Sequence, residues 1–106
     1  MRIAVFSDIH GNCLALETVL VDIKKSQIDS IVCLGDAIQG GAQPSETVAV
    51  LRDLACPTVM GNSDDWLLTG KTIESLLPLN YEIRDWSLSK LSEDDCRFIS
   101  QFPPTI

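Results

Sequence analysis

The stretch Ile3-Ala4-Val5-Phe6-Ser7-Asp8-Ile9-His10-Gly11-Asn12 poses the question for the whole chain. Its apolar start has the length and composition of a short strand buried on both faces. An amphipathic segment begins near Cys13. Between the two, in the turn past the strand, a carboxylate and an imidazole stand two positions apart. Those groups offer lone pairs from one short turn, a layout suited to gripping a metal ion. Alone the pair is a weak signal, because surface turns collect polar residues by chance.

Outward from that turn, Gly11-Asn12 can turn the chain and cap a helix. From Cys13 to Lys25, Leu16, Val19, Leu20 and Ile23 fall on one helix face, with Lys24 and Lys25 at the end the dipole favours. Ile31-Val32-Cys33-Leu34 reads as a second buried strand, ended by Gly35-Asp36. After the breaker-rich loop Gln39-Gly40-Gly41-Ala42-Gln43, Pro44 suits a first helical turn. Residues 44–55 then form a helix with Thr47, Val50, Leu51 and Leu54 on one face. Pro57-Thr58-Val59-Met60 is read as a third short strand, ended by Gly61-Asn62.

Asp8, Asp36 and Asn62 recur at spacings of 28 and 26 residues, one strand–helix unit apart. Crossovers of that length imply parallel strands joined by right-handed connections. The expected fold is therefore α/β, a parallel three-stranded βαβαβ sheet with flanking helices. All three strands would end on one edge, where open α/β sheets bind ligands. Two aspartates, a histidine and an asparagine gathered there suit Mn²⁺, Fe or Zn²⁺, and less clearly Mg²⁺. A carboxylate between two such ions can bridge them, and the pair can activate water for an in-line phosphoryl displacement.

Past Asn62 the pattern becomes helical. Ser63 to Gly70 reads as a short helix or turn carrying Trp66, Leu67 and Leu68, followed by helices over 80–91 and 92–102. Ser92-Glu93-Asp94-Asp95 resembles a capping start, with Asp where a capping box prefers Glu or Gln. Trp66 and Trp86 read as packing residues, and Lys71 as a solvated loop residue. Asp64 suits a cap for the helix that follows.

The bulk properties narrow the function. With 106 residues, 45% hydrophobic and 22% charged, the chain reads as a single globular domain. A net charge of −7 leaves no basic face for nucleic acid, and a phosphate ligand would need a positive helper such as a metal. No 18-residue apolar run or charged-then-apolar leader is present, so neither a membrane span nor an export signal is expected. Cys13, Cys33, Cys56 and Cys96 form no Cys-x-x-Cys pair, which argues against zinc ribbons and thioredoxin-like sites. Cys33 reads as a small core residue, and a reduced, cytoplasmic location is expected.

Three blocks resemble the calcineurin-like metallophosphoesterase superfamily, whose opening signatures are Asp-x-His, Gly-Asp-x-x and Gly-Asn-His-Asp/Glu. Here they read Asp8-Ile9-His10, Gly35-Asp36-Ala37-Ile38 and Gly61-Asn62-Ser63-Asp64. The loop Gly40-Gly41-Ala42-Gln43-Pro44 is similar to that of the small bacterial phosphodiesterase branch. The resemblance implies the amino-terminal half of a β-sandwich with helices on both sides. It implies a dinuclear site in which Asp8 and His10 bind one divalent metal, Asp36 bridges, and Asn62 binds the second. Its activity would be phosphodiester or phosphomonoester hydrolysis by a metal-bridging hydroxide, on a small phosphate-ester or nucleotide substrate. Asp36, Asn62 and Ser63 would carry catalysis, and Asp64 matches an acidic position of the family.

Two departures qualify that reading. Ser63 stands where the family commonly has histidine, and a hydroxyl is a poor general acid at neutral pH. Phosphodiesters with easier leaving groups are therefore expected over monoesters. The later Gly-His and Gly-His-x-His blocks are absent, His10 being the chain's one histidine. Residues 1–106 thus read as one incomplete domain, expected to self-associate or to require a carboxyl-terminal half. Weak or single-metal occupancy is expected of it alone, and catalysis is not. The alternative from another class is a non-catalytic truncated module that binds metal or a partner.

Overall fold

The computed structural model describes residues 1–72 and 75–106. β1 (Ile3–Phe6) leads through α1 (Cys13–Lys25) to β2 (Ser30–Cys33). Then follow α2 (Pro44–Leu54), α3 (Asn62–Thr69), α4 (Pro78–Lys90) and α5 (Glu93–Ser100). β1 and β2 pair in parallel, Ile3 opposite Ser30 and Phe6 opposite Cys33. The local signals act as their chemistry dictates. Asn12 caps α1 by accepting the Ala15 N–H at 3.0 Å. Pro44 opens α2, and Ala55 closes it in the left-handed region at φ 52°. At α5 a shorter acid suffices for a full capping box: Ser92 Oγ accepts the Asp95 N–H at 3.0 Å, and Asp95 Oδ2 accepts the Ser92 N–H at 3.1 Å.

The expected third strand is corrected to a single parallel bridge, Cys33 opposite Thr58. It lies beside β2 on the edge away from β1. Cys33 N–H donates to Pro57 C=O and Val59 N–H donates to Cys33 C=O, each at 2.9 Å. Backward extension stops because Pro57 has no N–H. Forward extension stops because the next N–H on the β2 side, that of Gly61, turns to Asp64 Oδ2 at 2.9 Å. Among the described residues the sheet proper is two-stranded.

A second correction concerns coverage. β1 was expected to be buried on both faces, yet Ile3 and Val5 are 53% and 57% exposed. Their neighbours Ala4 and Phe6 are half-buried, and Phe6 packs on the core, so helices cover one face of β1 only. Val19, assigned to the buried face of α1, is exposed as well. α1 packs against α2 through the side bearing Leu16, and Val19 sits on the flank near Phe6 and Ile9.

The core gathers Leu16, Ala37, Ile38, Val48, Leu51, Leu67, Ile99 and Phe102. Two of these, Ala37 and Ile38, follow Asp36 directly, so the loop beyond β2 is anchored by its own apolar side chains. α4 is tied to α3 by Arg84, whose Nε donates to the Trp66 and Leu67 carbonyls at 3.0 Å each. Those carbonyls lie in the last turn of α3, where that of Trp66 also accepts the Gly70 N–H at 2.7 Å. Trp66 is buried, as a packing residue should be, whereas Trp86 is 43% exposed. All four cysteines are free. Burial pushes the Cys33 thiol up to about 11, which fits an inert core residue. Among the described residues no helix is long and apolar enough to cross a membrane.

Candidate metal centre

The turns after β1 and β2 continue side by side once the strands end. Asp8 N–H donates to Gly35 C=O at 3.0 Å, His10 N–H to Asp36 C=O at 3.0 Å, and Gly11 N–H to Ala37 C=O at 2.8 Å. This pairing brings Asp8 and His10 against Asp36. One ligand atom from each of the three lies within 4.8 Å of the others. The backbone is unusual at these residues. Asp8, His10 and Asp36 have φ of 58°, 46° and 54°, left-handed values that L-residues adopt at a cost.

The donor chemistry of the group fits a cation. His10 Nδ1 lies 2.8 Å from the Gln39 carbonyl oxygen, which can only accept, so Nδ1 carries the proton. In the neutral ring Nε2 then presents a lone pair, and it faces Asp8 Oδ1 at 3.3 Å. Two acceptors directed at each other need positive charge between them, either a proton on Nε2 or a metal ion. A hydrogen bond fixing one ring nitrogen while the other faces a carboxylate is a layout typical of ligating histidines. The Ser7 hydroxyl donates to Asp8 Oδ2 at 2.6 Å, the largest cause holding the Asp8 carboxyl below the usual range.

Asn62, from the first turn of α3, reaches the same place. With its nitrogen turned to Asp36 the amide donates to Oδ1 and Oδ2 at 3.3 and 3.2 Å; with its oxygen turned there, only a cation reconciles the two. Ser63 also lies on Asp36. Its N–H and its hydroxyl donate to Asp36 Oδ1 at 3.0 and 2.9 Å. All five sequence-predicted residues, Asp8, His10, Asp36, Asn62 and Ser63, are therefore neighbours.

Two contributions go beyond the sequence reading, although Asp64 does cap α3 as expected by accepting the Gly61 N–H. Gln39 supports His10 through its backbone carbonyl, for which no side-chain signal exists. Asp64, taken as a cap or a family acid, is fully buried and accepts three backbone N–H groups. Burial pushes its carboxyl up, against the pull of those three bonds.

Beyond Asn62 and Ser63 opens a cavity of about 510 Å³, bordered also by Gln39, Trp66, Lys71 and Asn80. The family model for calcineurin-like phosphoesterases matches residues 1–104. The chain belongs to that family. An uncharacterized protein of Methanocaldococcus jannaschii is 38% identical over 101 residues, 95% of this chain and 42% of its own length. A metallophosphoesterase from Sphaerobacter thermophilus superposes with a TM-score of 0.77 at 31% identity, over 97% of this chain and 42% of that one. A candidate diadenosine tetraphosphatase gives 0.71 at 29% identity, over 96% and 43%. The chain thus spans less than half the length of the relatives it matches.

Proposed function

We propose that this calcineurin-like chain provides the amino-terminal part of a dinuclear phosphoesterase that hydrolyses small phosphodiesters. The observation that carries the proposal is the convergence of ligand atoms from Asp8, His10 and Asp36 within 4.8 Å of one another. Asp8 and His10 would hold one divalent cation and Asn62 a second, with Asp36 between them. Mn²⁺, Fe or Zn²⁺ suits these donors. Bound there, the ions would supply activated water and neutralise charge on the phosphoryl oxygens.

The chain's own residues bear on the substrate. Ser63 cannot protonate a poor leaving group at neutral pH, and its hydroxyl is engaged on Asp36. Esters that leave without a proton, such as aryl phosphodiesters or nucleotides, fit better than simple monoesters. Lys71, at the rim of the cavity, supplies positive charge toward an anionic ester. The small bacterial phosphodiesterase branch is favoured by the loop Gly40–Pro44, and a cytoplasmic setting by the unpaired cysteines.

Hydrolysis of bis-p-nitrophenyl phosphate with added Mn²⁺ tests the proposal. Turnover is expected from a chain extended by a carboxyl-terminal half bearing the family's histidine blocks, and not from residues 1–106 alone. An extended, folded chain inert with Mn²⁺, Fe²⁺ and Zn²⁺ would overturn it in favour of the non-catalytic module. That second reading is favoured by the single histidine, since only Asp36 and Asn62 serve the second ion.

The open side of β1 points to what completes the domain. Ile3, Val5 and Leu34 are 53%, 57% and 48% exposed beside an edge with no partner among the described residues. Relatives more than twice as long supply further chain to cover it, so a carboxyl-terminal half is the proposed occupant. Without it, residues 1–106 are expected to self-associate as concentration rises. Light scattering that shows a monomer at high concentration would contradict this.

A further inference from the structure

We infer that Ser63 and Asp64 are positioning residues of the metal centre, holding the Asp36 turn to the Asn62 turn through a reciprocal clasp. The inference rests on the metal reading above and adds to it how two loops 26 residues apart keep their ligands in register.

The clasp has two halves. Asp64 Oδ2 accepts the Asp36 N–H at 2.8 Å and the Gly61 N–H at 2.9 Å, while Oδ1 accepts the Ala37 N–H at 2.9 Å. In return Asp36 Oδ1 accepts the Ser63 N–H at 3.0 Å and the Ser63 hydroxyl at 2.9 Å. Each turn's carboxylate is thus held by groups of the other turn. Capping of α3 explains only the bond from Gly61; the bonds from Asp36 and Ala37 serve a different element. Nor does a cap need to be buried, yet Asp64 is 0% exposed. A carboxylate tolerates such burial when hydrogen bonds occupy its oxygens.

The consequence falls on Asp36. With Oδ1 fixed by Ser63, the carboxylate is locked in rotation and Oδ2 accepts from neither Ser63 group. Oδ2 is therefore the oxygen presented to a cation. The close fit leaves little slack: a Cβ at Gly61 would overlap Asp36 Oδ1, and one at Gly35 would come within 2.6 Å of Gly61 N. Asparagine at 64 cannot replace aspartate, because its amide nitrogen would face backbone N–H donors.

Two readouts on the 106-residue chain test the clasp. The first is amide hydrogen exchange of Asp36, Ala37 and Gly61 in metal-free protein. The second is Mn²⁺ affinity from the signal of free Mn²⁺, measured well below the melting temperature. Asp64→Asn is expected to deprotect Asp36 and Ala37 and to weaken Mn²⁺ binding about tenfold or more, in line with the loss of groups that orient metal ligands. Ser63→Ala, which changes no charge and sits at a half-buried position, is expected to weaken binding several-fold. Asp65→Asn, on the exposed side of the same helix turn, should leave binding within about twofold. Unchanged Mn²⁺ affinity in both Ser63→Ala and folded Asp64→Asn would overturn the inference. So would unchanged protection of Asp36 and Ala37 in Asp64→Asn. If Asp64→Asn does not fold, Ser63→Ala decides on affinity alone. Wild-type protein that binds no Mn²⁺ would defeat the metal reading instead, while the exchange data still judge the clasp.

Discussion

Gly41→Ala is expected to lose about 3 kcal/mol or more of stability, a large part of what a domain of this size holds. The added Cβ would overlap the His10 carbonyl oxygen and press on the backbone of Gly11 at 2.6 Å. Neither neighbour can yield. The Gly11 carbonyl accepts the Gln43 N–H at 2.9 Å, and the Gly11 N–H is bonded to Ala37. Relief requires lifting the 39–43 loop off the turn that carries Asp8 and His10, which also withdraws the Gln39 carbonyl from His10. Thermal unfolding should show a midpoint lower by on the order of 10 °C or more. An unchanged midpoint would mean that the loop can shift without disturbing the turn.

The second large effect is on the metal. Asp36→Asn is expected to weaken Mn²⁺ binding on the order of a hundredfold or more, since it removes the charge of the central ligand. The fold should survive better than in Gly41→Ala. The asparagine oxygen can still accept from Ser63, and the Asp36 backbone bonds to His10 and Asp64 remain available. Calorimetric titration with Mn²⁺, beside a thermal melt, separates the two. Affinity within a few-fold of wild type would remove Asp36 from the site.

Much of the fold was legible because its signals are local. Asn12, Pro44 and Ser92 mark helix starts through short-range hydrogen bonds and fixed φ, and each starts a helix here. The site was legible because one strand–helix unit separates Asp8 from Asp36, and nearly the same interval separates Asp36 from Asn62. Where non-local partners decide, the reading failed. Pro57–Met60 has the composition of a strand, but its pairing with β2 ends where the Gly61 N–H is taken by Asp64, a carboxylate that also accepts from Asp36 and Ala37 of the distant turn. Ile3 and Val5 read as buried because pattern alone cannot say whether anything covers a strand's second face. Asp64 was undervalued for a related reason: a cap and a clasp share one sequence signature and differ only in what else comes within reach.

The left-handed backbone at Asp8, His10 and Asp36 has a bearing on descent. Glycine adopts that conformation freely, whereas an L-residue gives up roughly 1–2 kcal/mol to hold it, somewhat less for aspartate. Any lineage released from the need for these side chains therefore gains backbone relief from glycine at three sites, set against the bonds that the Asp8 and Asp36 carboxylates make. Drift toward that relief would leave glycines or asparagines in the two turns. This chain has aspartate, histidine and aspartate there, so the three donors are presented from turns whose backbone would relax more readily around glycine.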